Sequence, residues 1–198
     1  PALTVSVAKT DITCHGTNNG IITVTASGGT GTKHYSKDNG VTYQVGNTFN
    51  GLAAGTYPVV VKDVNNCISA VQHVVISSPT VLTATVVKTD VTCNGINTGS
   101  IILTANGGTG VKQYSKDNGV HYQLSPIFNG LSAGTYPVLV KDASNCVSIV
   151  QNITISSPAA LTTTISKTDI TCNGSSNGSI TITASGGTGT KQYSKNNG

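Results

Sequence analysis

A gap-free recurrence with a period of 79 residues constrains this chain more than any other feature. The segment Thr10–Gly20, TDITCHGTNNG, returns at Thr89–Gly99 as TDVTCNGINTG and at Thr168–Gly178 as TDITCNGSSNG. The segment Gly51–Cys67, GLAAGTYPVVVKDVNNC, returns at Gly130–Cys146 as GLSAGTYPVLVKDASNC. Over Thr4–Leu82 against Thr83–Leu161, 50 of 79 positions are identical. Solenoid units of ~20–45 residues cannot bury a face alone. A unit this much longer is read as a small domain. The expected division is 1–79, 80–158 and 159–198, the last holding the first half of a third copy. Ser77-Ser78-Pro79 and Ser156-Ser157-Pro158 mark the joints, where proline ends a strand and stiffens the connection.

Each copy reads as β structure. Thr, Ser, Val, Ile, Asn and the 23 Gly dominate the chain, and Glu, Arg, Met and Trp are absent. That is the composition of short strands joined by tight turns. Period-2 alternation places Ile22, Val24 and Ala26 inward, with Ile101, Leu103 and Ala105, and Ile180, Ile182 and Ala184, as their counterparts. Tyr57, Val59 and Val61 form a second inward stripe, Ile68, Ala70, Val74 and Ile76 a third, and Leu3, Val5 and Val7 an opening strand. Ser27–Gly31 reads as a turn, and Asn39-Gly40 suits a type I′ hairpin. About seven short strands per copy give an all-β, two-layer sandwich. Leu52–Tyr57 has the spacing of a tyrosine corner, an ordinary core tyrosine being the alternative. Pro58 and Pro137 lack an N–H, so this end of their strand is expected to lack a ladder partner on one side.

The five cysteines are Cys14, Cys67, Cys93, Cys146 and Cys172. No paired Cys-x-x-Cys exists, so disulfides in an oxidising compartment fit better than zinc. Connectivity has two solutions. With Thr48–Leu52 as a strand, Cys14 lies at the opposite end of its sandwich from Cys67 and can meet Cys146 of the next copy. With Thr48–Leu52 as a loop, the two share an end. Because two cysteines of one domain usually pair together, Cys14–Cys67 and Cys93–Cys146 are the expected bonds, with the partner of Cys172 outside the fragment.

Other chemistry is sparse. His15, His34, His73 and His121 align with Asn94, Gln113, Asn152 and Thr42 in the other copy, so ligand or base roles would leave one twin inactive. No paired carboxylates can be assembled, and no catalytic residue is expected. Asp63, Asn65 and Asp142 lie in oxygen-rich loops that could touch Ca²⁺, but the preferred reading is an Asx-type turn, with no metal and no cofactor. Tyr35, Tyr43, Tyr114 and Tyr122, on the hairpins Lys33–Tyr43 and its copy, are candidate ligand contacts for a sugar or an adjacent module. The +4 charge comes from evenly scattered lysines, which does not suit nucleic acid. No apolar stretch is long enough to span a membrane as a helix.

The ordered pattern Thr-Cys-x-Gly, Asn-x-Gly, Ser-Gly-Gly-Thr, Gly-Leu-x-Ala-Gly-Thr-Tyr and Asn-Cys resembles the SprB repeat. That family occurs in very large surface adhesins of gliding Bacteroidota and in related secreted proteins. The resemblance covers both full copies and the partial third, and departs from the family at Pro58 and Pro137, where Thr is usual. It implies an immunoglobulin-like module, type IX export to the cell surface, and a role in adhesion or gliding. The expected function is therefore a structural or adhesive segment of a long repeat fibre, partnered by neighbouring repeats or like chains, with a carbohydrate-binding array contacting surface polysaccharide as the alternative. The half copy cannot cover its own inward face, so the chain is expected to be an excerpt of a longer polypeptide, or else to be completed by strand donation.

Overall fold

The computed structural model describes residues 2–196 and is all-β, with strands joined by turns and no helix among them. The first copy contributes β1 (Thr4–Thr10), β2 (Gly20–Ser27), β3 (His34–Ser36), β4 (Thr48–Leu52), β5 (Gly55–Lys62) and β6 (Gln72–Ile76). Two antiparallel three-stranded sheets form, in the orders β1-β2-β4 and β3-β5-β6. These are the A-B-E and C-F-G sheets of an immunoglobulin-like sandwich without a D strand. The expected seven passes are six strands plus a return one residue long, where Gln44 bridges Tyr35 with hydrogen bonds of 2.8 and 2.9 Å in the two directions.

The second copy repeats the plan with β7 (Thr83–Thr89), β8 (Gly99–Asn106), β9 (Gln113–Ser115), β10 (Ile127–Leu131), β11 (Gly134–Lys141) and β12 (Gln151–Ile155), ordered β10-β8-β7 and β12-β11-β9. The third supplies the hairpin β13 (Thr162–Thr168) and β14 (Ser179–Ser185). By contacts, the chain forms two compact units. One runs from the start of the described chain to Ala84 and includes Ala105–Lys112 and Val140–Ile149. The other holds Thr85–Thr104, Gln113–Leu139 and the described residues from Val150 onward.

The core of the first copy is built from the stripes that alternation marks. Ile22, Val24, Val59, Val61, Val74 and Ile76 are buried, joined by Ile12, Phe49 and Leu52, while Leu3, Val5, Val7, Tyr35 and Tyr57 pack at its edge. Two expected members, Ile68 and Ala70, are exposed. The ladder between β5 and β6 covers only Gly55–Val59, and the chain before Gln72 is pinned instead by Ser69. The Ser69 hydroxyl accepts the Val61 N–H at 3.1 Å and donates to the Ala70 carbonyl at 3.1 Å, so Ser69 is buried and its apolar neighbours turn out.

Both aromatic and proline signals near the start of β5 are explained by geometry. The Tyr57 hydroxyl donates to the Ala53 carbonyl at 2.9 Å, and that of Tyr136 to the Ser132 carbonyl at 3.0 Å, which is the tyrosine corner. β3 pairs with β5 only along Val60–Lys62, so Pro58 needs no N–H on that side. Its carbonyl accepts the Asn39 N–H at 2.9 Å. Asn39 and Gly40 both have positive φ, 57° and 87°, as a type I′ turn requires.

In the third copy the inward stripe is uncovered at Ile180, while Ile182 and Ala184 are half-buried. Ile180 is 71% exposed, whereas its counterpart Ile101 is 0% exposed. β13 and β14 pair through all seven residues of each strand, so the hairpin forms without the strands that bury this face in the other copies.

Candidate functional site

Strand direction decides where each cysteine goes. β1 and β4 both run antiparallel to β2, and the short turn after Leu52 reverses the chain into β5. β5 therefore ends, at Asp63–Cys67, on the side where β1 begins. Cys14 follows the other end of β1, next to the exit of β6, where the Ile12 N–H bonds the Ser77 carbonyl at 3.0 Å and the Ser77 N–H bonds Asp11 at 2.8 Å. Cys14 thus faces the joint leading to the second copy, and Cys67 faces away from it.

The consequence is a disulfide between Cys14 and Cys146, with Cα atoms 5.6 Å apart and 132 residues of separation. The expected pairs Cys14–Cys67 and Cys93–Cys146 are not made. The reason is the parity of strands: with β4 formed, the two cysteines of one copy lie at opposite ends of it. Cys67, Cys93 and Cys172 are free and exposed.

The junction is assembled within a single compact unit. Cys14, His15, Val81, Leu82 and Asn145–Val147 line a small cleft around the bond. The sulfur of Cys146 lies 3.3 Å from the Thr13 carbonyl oxygen. At the joint itself, the Gly108 N–H bonds the Thr80 carbonyl at 3.0 Å. Gly107 has φ 75°, and a methyl group on it would overlap the Val81 carbonyl, so the backbone approaches more closely here than any side chain allows.

Asp142 holds the loop that presents Cys146. Its Oδ1 accepts the N–H groups of Ser144 at 2.8 Å and Cys146 at 2.9 Å, and its Oδ2 accepts the Thr109 N–H at 2.7 Å. Burial pushes its pKa up, but the N–H groups of Thr109, Cys146 and Ser144 and the Thr109 hydroxyl together outweigh that and hold it below the usual value. Asp63 does the same for Cys67, with bonds from Thr30 at 2.9 Å, Asn65 at 2.9 Å and Cys67 at 3.0 Å. The Thr30 N–H contributes most to lowering its pKa. Asn66 and Asn145 take positive φ, 61° and 63°, to close the two loops alike. The oxygens considered for Ca²⁺ at Asp63 and Asp142 are thus spent on backbone donors. Asn65 enters this network through its backbone N–H.

The tyrosine hairpins place their candidates on different faces. Tyr35 packs against the core, whereas Tyr43 lies outside β5, with the Lys62 ammonium 4.2 Å from its ring centroid. In the second copy Tyr114 takes the place of Tyr35, with its own two-way bridge to Gln123. Gly119 sits close beneath both the Tyr122 hydroxyl and Leu139, so the hairpin folds over the outer face of the sheet. This covering explains why Val60 and Leu139 are buried although alternation turns them away from the core.

Sequence patterning did not single out the hairpin's buried polar anchor. The hydroxyls of Ser36 and Ser115 are fully buried, each donating to the following Asp38 or Asp117 at 2.7 Å and accepting the N–H of Gly40 or Gly119. Its signal was the recurrent Ser-Lys-Asp-Asn-Gly at Ser36–Gly40 and Ser115–Gly119. The Ser36 hydroxyl, followed by the hydroxyl and N–H of Thr42, lowers the Asp38 pKa to about 2. In the second copy His121 replaces Thr42 as donor, with Nδ1 2.6 Å from Asp117. Two residue types do one structural job, which accounts for the histidine's variation between copies.

Among the described residues no cluster of His, Cys, Asp or Glu is placed to hold a metal ion. The fold and junction define a class: tandem β-sandwich repeats whose repeated polar residues hold turns and joints. The SprB repeat profile matches at residues 6–42, 85–120 and 164–198, together more than half of the chain. The chain belongs to the SprB repeat family, a structural repeat family and not an enzyme family, associated with cell-surface proteins. It is thus a surface adhesin-like repeat region. No curated protein matches it. Among solved structures, one titled "Crystal structure of mouse coronavirus receptor-binding domain complexed with its murine receptor" has a chain similar at 12% identity and a TM-score of 0.34, covering 77% of this chain and 99% of that one.

Proposed function

We propose that this chain is a load-bearing segment of an extracellular adhesive fibre, in which 79-residue sandwiches are locked to their neighbours and present their outer faces to partners. The observation that carries this reading is the Cys14–Cys146 bond, which ties one copy to the next at a glycine-tight joint. A bond within one sandwich would stabilise that sandwich alone. A bond across the joint adds a second covalent link, besides the backbone, from one copy to the Asn-Cys loop of the next, which is what a chain under tension needs.

A surface role suits an oxidising environment, where such a bond persists. Type IX export and a part in gliding are what membership of this family adds to the reading. No enzymatic role is proposed: the repeat family is a structural one, and the turn carboxylates Asp38, Asp63 and Asp142 accept backbone or hydroxyl donors. Images of longer tandem arrays should show a beaded rod, and compact globules would refute the fibre.

The second reading, a carbohydrate-binding array, rests on the half-buried rings of Tyr43 and Tyr122 on the outer face of the sandwich. Glycan-array binding by the whole chain, abolished in a Tyr43→Ala/Tyr122→Ala double variant that keeps its melting temperature, would favour it. Absence of binding would leave the fibre as the working assignment.

A further inference from the structure

We propose that Cys93 and Cys67 are half-sites of the same bridge, so that in a longer array the Thr-Cys cysteine of every copy bonds the Asn-Cys cysteine of the copy that follows. The inference does not depend on what the fibre adheres to. It stands on the joint between the second and third copies, which repeats the glycine contacts of the first joint.

At the first joint the Gly108 N–H bonds the Thr80 carbonyl at 3.0 Å, and at the second the Gly187 N–H bonds the Ala159 carbonyl at 2.9 Å. A methyl group on Gly107 would overlap the Val81 carbonyl, and one on Gly186 would overlap the Ala160 carbonyl, at φ 75° in both cases. The loop carrying Cys93 is fastened to this joint, since the Asn94 amide donates to the Pro158 carbonyl at 3.1 Å. Cys93 then opens into a groove with Pro158, Leu161, Gly187 and Thr188 along its walls.

The groove is shaped for one kind of occupant. In the second copy Gly108 and Thr109 receive the Asp142 carboxylate, and that carboxylate sets Cys146 beside Cys14. Gly187 and Thr188 are the same two residues one period later. The occupant is therefore an Asp-x-x-Asn-Cys loop, of the kind that follows the fifth strand of a complete copy, arriving with its cysteine toward Cys93. Cys67 is the complementary half. Asp63 and Asn66 hold it in the conformation that Asp142 and Asn145 give Cys146.

Bond formation follows ordinary thiol–disulfide exchange. One cysteine thiol and a small-molecule or protein disulfide form a mixed disulfide, releasing one thiol of the oxidant. The second cysteine's thiolate attacks the protein sulfur of that mixed disulfide and expels the other. Two protein thiols become one disulfide, and the oxidant's disulfide becomes two thiols.

Successive bridges would overlap. The existing bond spans 14 to 146 and the next would begin at Cys93. Every peptide bond between two bridged copies would be bypassed by at least one disulfide, so a single backbone cut would not sever the array.

The test completes the third copy by joining the sequence of Val120–Leu161 after Gly198. A second chain carries one added complete copy, of sequence Thr83–Leu161, before Thr4. Both are oxidised with glutathione disulfide and mapped without reduction. In the first, Cys93 should be recovered linked to the added Asn-Cys cysteine. In the second, Cys67 should be linked to the added Thr-Cys cysteine. The Cys14–Cys146 peptide reports in each chain that the folded junction is present. Where it is recovered, a Cys93 or Cys67 that stays alkylatable, or bonds any other cysteine, overturns the proposal. A cut introduced at Asn173-Gly174 in the first chain, outside the span of the Cys14–Cys146 bond, should separate the fragments on a gel only after reduction, and separation without reduction overturns the proposal.

Discussion

The carboxylate of Asp142 accepts the backbone N–H of Cys146 at 2.9 Å, and this one bond ties the position of the cysteine to the turn of Gly108 and Thr109 that packs on the joint. The disulfide is thus the last element of a polar network and not an isolated staple. The network makes the first prediction. Asp142→Ala leaves three buried or half-buried N–H donors without their acceptor and should cost about 1–3 kcal/mol. It should also slow formation of the Cys14–Cys146 bond, measured as the fraction of Cys14 still alkylated at fixed times during oxidation.

Cys14→Ser should lower stability by about 2–4 kcal/mol, because the bond closes a long loop of the unfolded chain. Urea unfolding of the oxidised chain with and without reductant should show the same loss for the parent and almost none for the variant. Cys67→Ser should leave the urea midpoint unchanged, since Cys67 is free in this chain. An equal loss on Cys67→Ser would mean that the intra-copy pairing forms.

Asp38 makes stability depend on acid. Its folded pKa is about 2, below its ordinary value, so its hydrogen bonds contribute fully above about pH 4 and are lost as pH falls toward 2. The urea midpoint should decline through that window, and Asp38→Asn should flatten the part of the decline due to this turn. In the second copy His121 is the corresponding donor, and His121→Thr should preserve the turn by restoring the arrangement seen at Thr42.

Tyr57→Phe removes a hydroxyl that bonds the Ala53 carbonyl while leaving the ring in place. A loss of about 0.5–1.5 kcal/mol is expected, with the same for Tyr136→Phe. Each can be read as a shift of the thermal midpoint, and additivity is expected in the double variant because the two corners share no partner.

Much of this fold was legible because its signals are local. Alternation along Ile22, Val24 and Val59, Val61 marks two facing sheets, and Asn39-Gly40 marks a turn that needs positive φ twice. The signals failed where a polar side chain overrides the pattern. Ser69 takes a strand-pinning role, so Ile68 and Ala70 point outward. Ser36 is buried beneath a hairpin that crosses the outer face of its sheet, and so are Val60 and Leu139. No periodicity announces such a cover, because it is a contact between segments distant in sequence.

By itself the sequence determined the repeat, the strands and the turns, since these follow from side-chain size, branching and backbone freedom at neighbouring positions. The cysteine pairing was decided only by the tertiary structure. Cys14 and Cys67 are closer along the chain than Cys14 and Cys146, but an odd number of passes across the sandwich sends the nearer cysteine to the far end and leaves the next copy to supply the partner.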